Sequence, residues 1–479
     1  MHRTKIAIID NGIDETFLKT PLEYKIFVTQ DGQCLTDHCS MEAVTFMHGT
    51  TCAIMIEKYF PQCALSSVRV LEADGTGLLT KLGPALEWCR QHQINIINVS
   101  LGSVHFKDKK PLQALINQYA AKGLLIIAAA SNKDVISYPA SLSNVIGAAI
   151  DSKQYRSIAG HSYPGLDVLV PPALDPLITS NSYAAPYITA LVARLYGEMA
   201  APCLYAIKQA LRAESLRHGI HMLPEYYEPD WIHTALVKAN RINEIKSNAD
   251  YYFNIIDNTA TASMDQVDTV ITDHTAMLHE EAVHNKHIVY LGNEQVPPPA
   301  AGRFFWSPHM KLEQILNTVN EGSLPELQIP IVLWEGTDFP DEMFLLSQLK
   351  KHFYADGYHL YAISFHAESV LYDLDYIPEE ALLEKHQSAL QHFIDWQIRY
   401  QQIDALLLSL PAGLLQRSMP LSDQADLQII CNRRKHGCQI LFMDAGIITA
   451  DILADVLDAA SIQMIFEKTK EILTGDEDE

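Results

Sequence analysis

No stretch of this chain reaches the roughly 18–20 consecutive apolar residues that a membrane-spanning helix needs. The basic start, Met1-His-Arg-Thr-Lys5, runs straight into a short strand pattern, so no secretion signal is expected. Cationic clusters are also scarce: 35 Lys and Arg stand against 58 Asp and Glu, a net charge of -23. Such a surface has little with which to displace counterions from a polyanion, which argues against nucleic acid or an anionic membrane as partner. Among the eight cysteines (34, 39, 52, 63, 89, 203, 431, 438) no CxxC pair occurs. That removes the common zinc and redox signatures, so no metal and no cofactor is expected, and free thiols in a reducing cytoplasm are the default.

What is present is ample core material. The chain has 479 residues, 48% of them hydrophobic, which is too long for one ordinary core and predicts two globular domains. Apolar runs at Ile6–Asp10, Leu65–Leu71, Ile94–Ser100 and Leu124–Ala130 alternate with amphipathic stretches at Thr80–Gln91 and Pro111–Ala121. Strands alternating with helices read as an α/β domain with a parallel sheet, whose chemistry gathers at the carboxyl ends of the strands. Helices are expected at Ala184–Glu198 and Leu204–Arg212, with Ala235–Ile245 closing a first domain of residues 1–245. From residue 246 the alternation restarts. Val267–Thr272 and His287–Leu291 read as strands flanking a helix, and Pro330–Trp334, His359–Ile363, Ala405–Leu410 and Gln439–Met443 continue a second α/β domain.

Several polar segments sit where the first sheet would present them. Asp10-Asn11-Gly12 ends the first strand, and His48-Gly49-Thr50 opens a helix. Asn98-Val-Ser100-Leu101-Gly102 is a strand end with small residues, suited to pairing with an extended peptide. Ala129-Ala130-Ser131-Asn132 ends the next strand, and Ser180-Asn-Ser182-Tyr-Ala-Ala-Pro186 starts a helix whose dipole favours negative charge beside Ser182. Amide hydrolysis needs a nucleophile, a base oriented by a carboxylate, and donors for the oxyanion. All four are on offer here.

In this order the segments resemble the subtilisin-like serine peptidases, whose chain order is Asp, His, Ser. Supporting matches are Val68-Arg-Val-Leu71, Tyr138-Pro-Ala-Ser141, Asn144–Ala148 and Leu166–Pro171, so the resemblance covers about residues 4–245. It implies a parallel sheet flanked by helices, with Ser182 as nucleophile, His48 as base, Asp10 as its orienting carboxylate and Asn132 as oxyanion donor. Ser100, Leu101, Gly102, Ala130 and Ser131 would line the substrate groove. Lys133 would stand at the rim of the pocket for the residue before the cut, unless it is an ordinary surface lysine. Asn11, Ser131, Ser180 and Asn181 depart from the family's usual residues, the last three within segments that normally read Ala-Ala-Gly-Asn and Gly-Thr-Ser. The connection Lys58–Ala64 is too short for the calcium loop that follows this helix in secreted relatives.

The second domain, 246–479, reads as Rossmann-like, with a degenerate P-loop-like turn after Ile329–Glu335. That turn lacks Gly-Lys-Ser/Thr, and Glu335, Asp338, Asp341 and Glu342 would repel phosphate. The region through Leu410-Pro-Ala-Gly413 resembles a domain of bacterial peptide-maturation systems, which implies binding of a precursor peptide or of a second copy of the chain. The functional expectation is a cytoplasmic endopeptidase that removes the leader of a ribosomally made precursor peptide. A catalytically weak peptide-binding module and a general intracellular peptidase are the alternatives.

Overall fold

The computed structural model describes residues 3–38, 47–72, 75–133, 135–152, 165–239, 251–256, 264–298, 302–318, 323–336, 342–411, 423–434, 437–444, 446–454 and 458–475. The chain forms two compact units.

The first unit is built on a nine-stranded sheet. Its strands are β1 (Lys5–Asp10), β2 (Tyr24–Val28), β3 (Cys34–Thr36), β4 (Ala64–Arg69), β5 (Ile96–Val99), β6 (Leu125–Ala129), β7 (Ile146–Ile150), β8 (Val168–Val170) and β9 (His221–Met222), in the order β3-β2-β4-β1-β5-β6-β7-β8-β9. All neighbours from β2 to β8 are parallel. The central strands read as near-continuous Ile, Val and Ala because both of their faces are covered. The helices are α1 (His48–Tyr59), α2 (Leu82–Gln91), α3 (Lys109–Ala120), α4 (Asn181–Glu198) and α5 (Leu204–His218).

One face of this sheet packs against α1 and α4. Ile6, Ile8, Ile96, Ile127 and Val168 pack with Met55 and Ile56 of α1 and with Ile188 and Val192 of α4 in one core cluster. The buried Ala184, Ala185, Ala190 and Ala193 let α4 lie close to the strands. Each fully buried Ile or Val contributes roughly 1.5–3 kcal/mol, so the placement of α1 and α4 against each other is set firmly by burial. Tyr59 and Tyr187 meet edge to face at 4.8 Å, and Asp175, before α4, accepts from Lys58 Nζ (2.6 Å) and Tyr59 Oη (2.7 Å) at the end of α1.

Two details revise the expected boundary. Thr234–Lys238, expected to help close the first domain, is a strand (β10) that pairs in parallel with residues 254–256 and 269–272 of the second unit. Its alternation of β-branched and apolar residues finds edge partners only there. The rest of that closing segment, from residue 240, lies outside the described residues. Conversely Phe304 belongs to the first unit, stacked on Trp231 (5.1 Å, 23°) and edge-on to Tyr227 (4.9 Å). Beside this aromatic cluster the buried Lys208 Nζ pairs with Asp167 (2.8 Å) and donates to the Ser143 carbonyl (2.9 Å).

The second unit holds two sheets where one was expected. Strands β10, β11 (Asn254–Ile256), β12 (Thr269–Thr272), β13 (His287–Tyr290) and β14 (Phe305–Trp306) form a five-stranded parallel sheet in the order β11-β10-β12-β13-β14. The helix expected between β12 and β13 is replaced by short 3-10 turns at Thr275–His279 and Glu281–Val283. The other sheet comprises β15 (Ile331–Gly336), β16 (Leu360–Ser364), β17 (Asp375–Tyr376), β18 (Ala405–Pro411), β19 (Leu427–Arg433), β20 (Cys438–Asp444) and β21 (Ile447–Ala454), in the order β17-β16-β18-β15-β19-β20-β21. Its first five are parallel, and β19, β20 and β21 run antiparallel to one another. Along β15, Ile331 and Leu333 face one core while Val332 and Trp334 face the other. The first core includes Leu390 and Phe393 of helix α8, and the second includes Leu349 of α7 and Ile465 of α9. These helices are α6 (Pro308–Leu316), α7 (Glu342–Asp356), α8 (Gln387–Gln401) and α9 (Ala459–Thr474). As the Asp356-Gly357 pair predicts, α7 stops there, with Gly357 at φ 102.

Candidate active site

Three elements converge at the carboxyl end of the nine-stranded sheet: the turn after β1, the first turn of α1 and the first turn of α4. Asp10, the last residue of β1, is 2% exposed. Its Oδ2 lies 2.8 Å from His48 Nδ1, and its Oδ1 accepts from the Asn11 N–H at 2.8 Å. A buried carboxylate on Nδ1 fixes the imidazole as the tautomer that leaves Nε2 to accept a proton. Burial by itself depresses the His48 pKa, but the hydrogen bond and the charge of Asp10 outweigh it and hold the ring above its ordinary 6.5.

The turn and the helix are stitched together locally. Asn11 Oδ1 accepts from Gly49 N–H (3.1 Å), capping a helix whose own N-cap residue, Met47, makes no side-chain cap. Thr50 Oγ1 accepts from Asp14 N–H (2.9 Å). A Cβ on Gly49 would lie 2.4 Å from the Gly12 carbonyl oxygen, so only glycine lets α1 start this close to Asp10. Gly12 itself has φ 109, which glycine adopts without strain. Asn11 thus ties the turn after β1 to the first turn of the helix that carries His48.

Ser182 occupies the first turn of α4, where amide N–H groups have no intrahelical acceptor and the dipole favours an anion. Its carbonyl accepts from Ser100 Oγ (3.4 Å) and lies 4.0 Å from Cys52 Sγ. Ser100 Oγ in turn accepts from Asn98 Nδ2 (2.9 Å), and Asn98 Oδ1 accepts from Thr189 Oγ1 (2.9 Å). This chain of buried and half-buried polar groups anchors α4 to the end of β5. The Ser100 hydroxyl, expected to line the groove, therefore points inward, and only its backbone remains at the strand end. Ser182 Oγ forms no hydrogen bond to His48 in this structure, and such contacts commonly close only around a bound substrate.

Asn132 is exposed at the end of the loop that follows β6. Its Oδ1 accepts from Asn181 N–H (3.1 Å), which leaves the Nδ2 group as a donor beside the start of α4. Asn181 itself is 3% exposed, donating from Nδ2 to the Ser131 carbonyl (2.7 Å) and accepting at Oδ1 from Ile150 N–H (2.8 Å). Ser131 Oγ accepts from Lys133 N–H (3.0 Å), and Ser137 Oγ accepts from Ser131 N–H (2.8 Å). The residues at these two departures from the family pattern hold the loop that carries Asn132. Ala130 is buried, Leu101 half-buried, and Gly102 and Lys133 exposed. The neighbouring Ser103 pairs through both backbone groups with Tyr138 at 2.8 Å.

Sequence reasoning missed Cys52 and Tyr183. Cys52, one turn beyond His48, is buried with its Sγ 3.9 Å from Nδ1, and burial pushes its thiol pKa well up, so it stays protonated. The spacing of four on a helix that starts with the base is the signal that could have found it.

Residues 2–218 match the Subtilase family, a stretch that contains Asp10, His48, Asn132 and Ser182. The chain is similar to subtilisin BL from Lederbergia lenta, with 32% identity over 114 residues, 23% of this chain and 42% of that protein. It is also similar to an alkaline protease from Alkalihalobacillus alcalophilus, at 32% identity over 23% of this chain and 30% of that protein. The chain therefore spans less than half the length of the curated relatives it matches. Among solved structures, the psychrophilic protease S41 aligns over 44% of this chain and 82% of its own, with 20% identity and a TM-score of 0.37. A lanthipeptide protease aligns over 44% and 80%, with 20% identity and a TM-score of 0.34. Among the described residues, no helix is long and apolar enough to cross a membrane.

Proposed function

We propose that the first unit is a serine endopeptidase of subtilisin type. The observation that carries this reading is the buried Asp10 carboxylate 2.8 Å from Nδ1 of a half-buried His48, at the mouth of the helix that begins with Ser182. In the proposed reaction Ser182 Oγ bonds to the scissile carbonyl carbon while its proton passes to His48 Nε2. Asn132 Nδ2 and the Ser182 N–H hold the oxyanion. The C–N bond then breaks, the amine leaves with the proton from His48, and water hydrolyses the acyl-enzyme by the same relay.

The substrate we infer is a ribosomally made precursor peptide whose leader is removed in the cytoplasm. Supporting this are the sequence resemblance of the second unit to peptide-maturation proteins and the free thiols at Cys34, Cys52, Cys63 and Cys89. The second unit would hold the precursor or a second copy of the chain. A peptide-holding module without turnover is the competing reading, and the lack of a hydrogen bond from Ser182 Oγ to His48 favours it. Incubating the full chain with casein and with a ribosomally made precursor peptide of the lanthipeptide class separates the readings. A single cut in the precursor with casein left intact supports leader removal, broad casein digestion points to a general peptidase, and no cut in either supports the holding module.

A further inference from the structure

His48 is gripped from more sides than its partnership with Asp10 requires. The ring of Tyr183, the residue immediately after Ser182, stacks on its face with centroids 4.9 Å apart and planes at 22°. The Tyr183 hydroxyl lies beside Thr51, one turn along the same helix as His48. The ring is thus met at Nδ1 by Asp10 and Cys52 and across its face by Tyr183; among the described residues these are the titratable groups in contact with it from β1, α1 and α4. Because Ser182 and Tyr183 are consecutive in the first turn of α4, the stack also fixes how far that turn stands from the first turn of α1.

Resting on the peptidase reading, we infer that Tyr183 is a positioning residue for the base: its ring sets the plane of the His48 imidazole, spaces it from Ser182 and favours the imidazolium formed in the reaction. Two physical effects underlie this. A ring clamped on its face cannot swing, and a misplacement of about 1 Å costs reactions of this kind on the order of 100-fold. An aromatic face also attracts a cation by roughly 0.5–1 kcal/mol at a partly exposed site, equivalent to about 0.4–0.7 pH unit in the titration of His48.

The test measures the rate at which a fluorophosphonate labels the full chain across pH 5–9. In that reaction Ser182 Oγ bonds to phosphorus, fluoride leaves and His48 takes the proton. Variants Tyr183→Leu and Tyr183→Met remove the ring, the second keeping a long side chain in case the first fails to fold, and Tyr183→Phe restores the ring without the hydroxyl. Either ring-less variant is expected to label roughly 10- to 100-fold more slowly, with the acidic limb of the profile moved down by about half a pH unit, and the Phe variant to recover most of the rate. Ring-less variants that label with the wild-type rate and profile overturn the inference while leaving the peptidase reading intact. A Phe variant as slow as Leu and Met also overturns it. A wild type that does not label at all sinks the peptidase reading and this inference together.

Discussion

Both large sheets of this protein present polar side chains at the carboxyl ends of parallel strands, yet among the described residues it is the nine-stranded sheet that brings together the set proposed to react. In the nine-stranded sheet, Asp10, His48, Asn132 and Ser182 come from four separate segments, held by bonds at His48 Nδ1, Asn132 Oδ1 and the Ser182 carbonyl. In the seven-stranded sheet two carboxylates meet neutral partners: Glu335 Oε2 accepts from Gln428 Nε2 (3.2 Å), and Glu342 Oε1 accepts from Ser409 Oγ. A carboxylate satisfied by a hydroxyl and an amide stabilises the fold, whereas one set on an imidazole next to a helix N-terminus prepares a base. The architecture supplies the edge and the particular residues supply the chemistry.

The largest effect that would sharpen this contrast is expected at the nucleophile. Ser182→Ala should lower turnover on the order of 10⁶-fold with melting unchanged, as read by product formation and calorimetry. Asp10→Asn keeps the size of the side chain but presents the wrong hydrogen-bond partner to Nδ1, and should cost on the order of 10⁴-fold in kcat. Asn132→Ala removes one oxyanion donor, and kcat should fall on the order of 10²–10³-fold with KM little changed. In the other sheet, Ser409→Ala should leave peptidase turnover untouched and lower unfolding free energy by about 1–3 kcal/mol in a denaturant titration. A loss of turnover at Ser409 would break the comparison, because it would give the second sheet a part in the chemistry.

The candidate residues could be picked out because each lies at a strand end or helix start whose flanking pattern is local: Ile6–Asp10, His48-Gly49-Thr50 and Ser182 before the small-residue helix. Their supports could not be. Asn11 and Asn181 read as departures from the family pattern, yet each serves through an atom dozens of residues away, Gly49 N–H and the Ser131 carbonyl. Which donor a polar side chain meets depends on how closely two elements approach, and that is set by core packing beneath them. The same cause displaced the boundary near residue 245: a five-residue strand carries no mark of which sheet will pair with it, and β10 found its partners downstream. The turn after β15 and the Pro411-Ala-Gly413 turn fall largely on residues 337–341 and 412–422, outside the described residues.

The pH dependence follows from the raised His48 value. A base must be neutral to accept a proton, so activity is lost on acidification through a pKa above 6.5, a higher midpoint than an isolated imidazole would give. The central claim, that Ser182 is activated by His48 and Asp10, is tested most directly by mapping a fluorophosphonate label on the full-length protein by mass spectrometry. The account predicts one adduct, on Ser182, formed fast in the wild type and orders of magnitude more slowly in Asp10→Asn. An adduct on another residue, or labelling of Ser182 that is indifferent to Asp10, would contradict it.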